Sequence, residues 1–455
     1  MQEISDRDFY SDNLVTINKD NKAVAKENIY NAAGALLLPA GAEIHSDNAQ
    51  KIVQHKLQKP LEESVSLDKL LTKPILIEQL KAMPTHPEMV DIFNNKLSID
   101  RFSQQCDQLK KHPLIIQKLT VFSMRYPEQY KKTLFGVYLG LLICEERNLD
   151  EKTWNNVFIA ALCRDIGLVH IDPKVVDKKA ALTGAEWKLL QGHVAIGYQF
   201  LSHLPNVSKS IATAVLEHHE RTDGFGYPRH LSEDKLGVEG QILAFSDMFI
   251  ALFYKYVFGH GFSLIDLAAI VQINAGIHKQ ENTEAAMRLM RALAENKTRK
   301  PVFKDLREQL ERILACQPKA YEWIRLADLL NKQLFQIEKS PKLKQNIQMM
   351  TRVKSVMRTS GVFDQTLLDW IKSLDPIRLT SSDIAEIEHF TMMLNESIWQ
   401  LSTLQKSFSV IVQQLQKKGV DLKDAGPTKI VLDALHEELA KGLLVEEQLT
   451  KSKAS

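Results

Sequence analysis

Apolar residues in this chain recur mainly at three- and four-residue steps, the spacing that lines one face of a helix. The longest such series is Ile384, Ile387, Phe390, Leu394, Ile398, Leu401, Leu404, Phe408, Ile411 and Leu415. Its mean step is close to the roughly 3.5 residues of a coiled-coil seam. Ser382-Asp383 precedes it, with Asp383 and Glu386 as a capping box, and Gly419 stands where a C′ glycine would end it. The series predicts either one arm of an antiparallel bundle or a dimerising, partner-binding coiled coil. The helical sequence flanking it favours the bundle.

The N-terminal pattern is different. Val15-Thr16-Ile17 is a short β-prone run, and the stretch Ile29 to Gly41 brackets apolar residues with glycines, which predicts strand, turn, strand. Ser46 to Leu57 turns helical. Residues 1–75 are therefore expected to form a small α+β module. Residues 76–125 alternate helical patterns with breaks at Met83-Pro84, His86-Pro87 and His112-Pro113, a helical spacer. Residues 126–285 read as packed helices joined by histidine-bearing loops, and 286–455 as a helical C-terminal region. The fold class is mainly α.

Composition narrows the function classes. Of 455 residues 44% are hydrophobic and 25% charged, which is globular rather than disordered. A net charge of +2 removes the global electrostatic case for nucleic-acid binding. Leu134 to Cys144, the longest uncharged apolar run, is too short for a bilayer, and the N-terminal sequence lacks the pattern of a secretory signal, so no membrane insertion is expected. Cys106, Cys144, Cys163 and Cys316 form no CxxC pair, which fits a reducing, cytoplasmic setting. No glycine-rich phosphate loop, dinucleotide fingerprint or nucleophile elbow is present.

Candidate chemistry concentrates in Glu217-His218-His219-Glu220-Arg221-Thr222-Asp223-Gly224-Phe225-Gly226-Tyr227-Pro228. Adjacent histidines in mid-helix point about 100° apart; at a helix end running into a glycine-rich loop both can face one pocket. Imidazole is the commonest side-chain ligand of transition metals. Glu217 and Glu220 are either groups that orient the imidazoles or a solvated helix face.

This string, HHExxDGxGYP, resembles the signature of the HD-GYP family, a branch of the HD phosphohydrolases. The resemblance implies an all-helical HD-type domain holding two or three metal ions, often iron or manganese, and hydrolysing the bacterial second messenger cyclic di-GMP. It implies metal ligands at His218 and His219, at His193 after the LTxxEW-like Leu182 to Trp187, at Asp165 of the HD pair and at Asp247. It also implies ligand-binding roles along the Arg221, Asp223, Gly224, Gly226, Tyr227 and Pro228 loop. The N-terminal module resembles, more loosely, the small domain that often precedes such units.

Three positions depart from the family pattern. The histidine of the HD pair is Arg164, the lysine after the HDIG string is Leu168, and the first histidine falls at Lys132, or at Thr133 if the register slips by one. Glu128, four residues before Lys132, stands where some members carry an extra carboxylate ligand. Arginine stays protonated and has no lone pair for a metal. The first metal site is therefore expected to be lost, with Asp165 and Asp247 ion-paired to Arg164 and Lys132. The expected cofactor is one divalent transition metal, iron or manganese, or none. The expected function is a degenerate HD-GYP signalling protein that binds or scaffolds in cyclic di-GMP signalling with little or no phosphodiesterase activity. Two rivals stand beside it. One is an active cyclic di-GMP phosphodiesterase with substitute ligands such as Glu128 and His170. The other is a nucleotide-independent platform whose C-terminal helices bind a protein partner, with homodimerisation open.

Overall fold

The computed structural model describes residues 8–83, 86–93, 99–294, 301–303, 306–337, 341–362, 364–376 and 378–417. Among the described residues the protein is mainly α-helical, with four short strands near the N-terminus. Two compact units emerge: residues 1–254 with 281–289, and residues 255–280 with 290–455. This division differs from the four segments expected from sequence. Residues 76–125 are no free-standing spacer: their last helix, Pro113–Arg125, buries Ile115, Lys118, Leu119 and Phe122 inside the first unit.

In the N-terminal module, β1 (Ala23–Ala25) pairs antiparallel with β4 (Val65–Leu67), and β2 (Ile29–Tyr30) pairs antiparallel with β3 (Leu36–Leu38). Gly34 closes the β2–β3 turn at φ +85°, a backbone region that other residues rarely enter. The β-prone Val15-Thr16-Ile17 instead ends a helix, Tyr10–Ile17. Tyr10, Leu14 and Ile17 fall on one helical face and are almost fully buried, so burial outweighs the local strand preference.

The core of the first unit is built on the Pro127–Glu146 helix, started by proline in its first turn. The apolar run Leu134–Cys144 lies wholly buried on it, packed by the helices Glu151–Cys163 and Val238–Leu252. Asp150 caps the first of these neighbours by accepting the Thr153 N–H at 2.7 Å. The helices His193–His203 and Lys209–Glu217 complete the layer, the latter capped by Ser208. The span Val238–Phe258 is long and apolar enough to cross a membrane by length and composition, although two-thirds of it is buried in the protein. Glu239, Asp247 and Lys255 interrupt it, so it is not an uncharged run in the sequence.

In the second unit the helix Ser381–Lys417 carries the heptad-like series. Ile387, Phe390, Leu394, Ile398, Leu401, Leu404, Phe408 and Ile411 are all buried, packed with helices Leu306–Ile337, Pro341–Thr359 and Leu267–Ile273. The seam serves an intrachain bundle. The helix starts three residues earlier than expected, so the capping box is Thr380 with Asp383, not Asp383 with Glu386. Asp383 Oδ2 accepts the Thr380 N–H at 2.8 Å, and Thr380 Oγ1 accepts the Asp383 N–H at 3.2 Å. Gly419 and the last residues of the chain lie outside the described residues.

A buried cation ties the N-terminal module to the helices of the first unit. Lys118 is 1% exposed; its Nζ donates to Glu62 Oε1 at 2.8 Å and lies 3.8 Å from the Phe200 ring centroid. Burial drives the Lys118 amine below its ordinary pKa, and Glu62 opposes that shift. Removing one partner of such a pair strands the other charge. Glu62→Gln is expected to lower the unfolding free energy by about 3 kcal/mol. The double change Glu62→Leu with Lys118→Met should recover most of it, as read by urea denaturation.

Candidate metal centre

Asp165, His193, His218 and His219 converge in the first unit. One potential ligand atom from each lies within 4.8 Å of all the others, and this is a cluster of the kind that holds an ion. Each arrives by a local device. Asp165 follows the Glu151–Cys163 helix and opens the 3₁₀ turn Ile166–His170. Gly167 in that turn is required sterically: a Cβ there would sit 2.1 Å from the His193 carbonyl oxygen. That close approach brings Asp165 beside His193 at the start of its helix, with Asp165 Oδ1 3.7 Å from His193 Nε2. His218 and His219 leave the end of the Lys209–Glu217 helix, where both rings can turn inward.

The imidazoles are held in a ligating state. His193 Nδ1 contacts the Leu190 carbonyl at 2.7 Å and His218 Nδ1 contacts the Val215 carbonyl at 2.7 Å. A carbonyl only accepts, so each Nδ1 carries the proton and each Nε2 keeps its lone pair. Those two Nε2 atoms are 3.3 Å apart, and His218 Nε2 is 3.9 Å from Asp165 Oδ1. Burial drives all three imidazoles toward the neutral form: His193 and His219 fall to about 4, and His218 falls well below its ordinary value. Neutral nitrogens beside an ionised carboxylate suit one divalent transition metal.

The other half of the cavity has different chemistry. Arg164, 4% exposed, donates from Nε to Asp165 Oδ2 at 2.9 Å, and its Nη1 lies 3.2 Å from Asp247 Oδ1. Asp247 also approaches His219 Nδ1 at 3.3 Å. Gly136 makes room for the guanidinium, whose Nη1 would lie 3.1 Å from a Cβ there. Burial would raise the Asp165 carboxyl, but Arg164 overrides it and holds the group below the usual range. At Asp247 burial prevails over Arg164 and pushes the carboxyl up. Thr133 faces this region, fully buried, with Oγ1 3.3 Å from Asp165 Oδ2. Lys132 is exposed, its Nζ 5.0 Å from the Tyr254 ring centroid, and its charge favours the ionised Asp247 less than that of Arg164 does.

Other expected site residues are placed elsewhere. The Glu128 side chain is 72% exposed and pairs with Lys131. Leu168 is buried. His170 stacks on Tyr10 and contacts Asp8 at 2.7 Å, outside the metal cluster. Sequence reasoning missed what His170 does with its neighbours. Asn13 Nδ2 donates to the Val169 carbonyl at 2.7 Å and the Phe9 N–H donates to the His170 carbonyl at 3.4 Å, so the N-terminal segment grips the turn that follows Asp165. Only long-range packing reveals that grip.

The loop after His219 is framed by carboxylates. Glu220, 1% exposed, accepts the Arg229 N–H at 2.6 Å and the Leu231 N–H at 3.1 Å. Glu217 accepts the Gly237 N–H at 2.9 Å and pairs with Arg229. Both glutamates therefore shape the loop instead of lining a solvated face. Arg221 is held by Asp223 through two contacts, and Asp223 also accepts the Phe225 N–H. Gly224 takes φ +76°, and a Cβ on Gly226 would lie 2.3 Å from Glu220 Cα. Tyr227, followed by Pro228, stacks on His219 with centroids 4.7 Å apart.

Residues 122–279 match the model of the HD domain family. They form an HD domain. A cyclic di-GMP phosphodiesterase of Thermotoga maritima is 25% identical over 247 residues, covering 50% of this chain and 67% of that protein. Cyclic di-GMP phosphodiesterase PdeB of Borreliella burgdorferi is 35% identical over 111 residues, covering 24% of this chain and 29% of its own length. A 3'3'-cGAMP-specific phosphodiesterase of Vibrio cholerae is 32% identical over 134 residues, covering 30% and 28%. The chain thus spans about two-thirds of the first relative and under a third of the other two. The donor set of Asp165, His193, His218 and His219 fits one ion. On the Arg164 side a second ion would meet a fixed positive charge.

Two outcomes test this geometry. Gly167→Ala should cost about 3 kcal/mol through overpacking and reduce the metal bound per chain, measured by denaturation and elemental analysis. In metal-stripped protein, unfolded histidines take up protons near pH 6.5, whereas His193 and His219 stay neutral to about 4 when folded. The unfolded state then binds more protons between those values, so stability is full above about 6.5 and declines as pH falls toward 4. His193→Asn should flatten that decline in melting temperature.

Proposed function

We propose that this protein is a degenerate HD-GYP protein of cyclic di-GMP signalling, binding the nucleotide or scaffolding around it with little or no phosphodiesterase activity. The observation that carries the reading is the Arg164 guanidinium lying between Asp165 and Asp247, where a second cation would otherwise sit. Relatives named as cyclic dinucleotide phosphodiesterases support the ligand class. Hydrolysis by a pair of ions uses both to activate water and clamp the phosphate. Arg164 supplies fixed charge but no exchangeable coordination position.

His193, His218, His219 and Asp165 would hold one iron or manganese ion. When bound, such an ion supplies Lewis-acid polarisation of a phosphoryl oxygen. The chain's own residues do the rest: neutral imidazoles keep their lone pairs inward, Arg164 neutralises the two carboxylates, and the Glu220-framed loop fixes Tyr227 over His219. The four cysteines are buried thiols, in keeping with the cytoplasmic setting that belongs to this proposal.

A second reading, an active metal-dependent cyclic di-GMP phosphodiesterase, draws on the intact imidazole–Asp165 cluster. Purified protein incubated with cyclic di-GMP and Mn²⁺ or Fe²⁺ separates the two. The proposal expects binding without robust turnover and zero or one ion per chain. Two tightly held ions, with turnover abolished by His218→Ala, would overturn it. The double change Thr133→His with Arg164→His should raise metal content toward two ions per chain.

A further inference from the structure

The helix Gly184–Gln191 is anomalous in its packing. It is well started, with Thr183 and Glu186 forming a reciprocal capping box, yet none of its residues is buried. Its one aromatic residue, Trp187, leaves 47% of its surface in water. The indole nevertheless has a defined place. It meets the Tyr227 ring edge-on at 6.4 Å between centroids, and Tyr227 in turn stacks on His219. Two ring contacts therefore lead from open solvent to a residue of the metal cluster. His219 and Asp247 are the more exposed members of the site, with side chains 23% and 30% exposed, and His219 is the one on which Tyr227 stacks.

Tryptophan is usually well buried, and leaving half of one in water forgoes part of its hydrophobic stabilisation. No buried face of its own helix accounts for its position. A half-exposed indole, fixed at the mouth of a polar cavity by an edge contact, has the form of a stacking platform for a flat ring. Base–aromatic stacking is sequence-tolerant and depends on the π-face presented. We infer that Trp187 stacks on a purine base of a cyclic dinucleotide whose phosphates lie toward the metal centre, and so sets the preference for purine over pyrimidine rings. The inference rests on the reading of the site as a cyclic dinucleotide site. It adds a base-recognition surface outside the HHE–GYP string.

The test is equilibrium binding by the full-length chain, metal-loaded, of cyclic di-GMP, 3'3'-cGAMP and cyclic di-UMP, with ribose 5-phosphate as a probe lacking a base. Because no residue of this helix is fully buried, Trp187→Ala is expected to fold with unchanged metal content and a slightly lowered melting temperature. It should weaken both purine ligands roughly 5- to 150-fold, the range equivalent to about 1–3 kcal/mol of stacking. Cyclic di-UMP should weaken less, so that the purine preference shrinks, and ribose 5-phosphate should be unaffected. Trp187→Phe should restore most of the loss, and quenching of indole fluorescence on binding should drop in both variants. Wild-type binding of cyclic di-GMP that Trp187→Ala leaves unaltered would overturn this inference while leaving the proposed function standing. Failure of the wild type to bind any of the three cyclic dinucleotides would overturn both.

Discussion

A guanidinium that cannot lose its proton, enclosed between two carboxylates, is the constraint around which the centre of this protein is arranged. Arg164 is almost fully buried, and a buried charge persists only where partners offset its desolvation. Asp165 and Asp247 meet that requirement together, one adjacent to Arg164 in the chain and the other far from it in sequence. Space for the guanidinium depends on the missing side chain of Gly136. The result is a cavity whose two halves have different characters: one lined by neutral nitrogen donors, the other already occupied by positive charge.

The rest of the centre is set by close backbone approaches. Gly167 lets the turn after Asp165 touch the start of the His193 helix, and Gly226 lets the loop fold back on Glu220. Backbone carbonyls at Leu190 and Val215 fix the tautomers of two imidazoles. The N-terminal segment then grips the Ile166–His170 turn through Asn13 and Phe9, which couples the small module to the position of Asp165. This coupling gives that module a physical route to the centre through the first unit.

That Asp165, His193, His218 and His219 converge, and that Arg164 pairs with Asp165, follows the expectation from residue identity at motif spacing. The β2–β3 hairpin was legible too, since glycine-bracketed apolar runs dictate it locally. Other features were not. Val15 to Ile17 favour strands as residues but form a helix, because Tyr10, Leu14 and Ile17 share one buried face. The capping box of the last described helix shifted to Thr380 and Asp383, since a cap depends on where the first turn begins. Two registers placed Lys132 or Thr133 at the centre, and only the packing of the Pro127–Glu146 helix turned Thr133 inward.

The chain by itself determined which chemical groups are available: three histidines, two aspartates and an arginine. Tertiary structure decided which of them meet. It brought Arg164 to both carboxylates, sent Glu128 to the surface and set His170 against Asp8. It also stood Trp187 beside Tyr227 at the mouth of the cavity. The physical reason is that spacing along a helix constrains neighbours three and four residues apart, whereas contacts between groups tens of residues apart follow from how the helices pack.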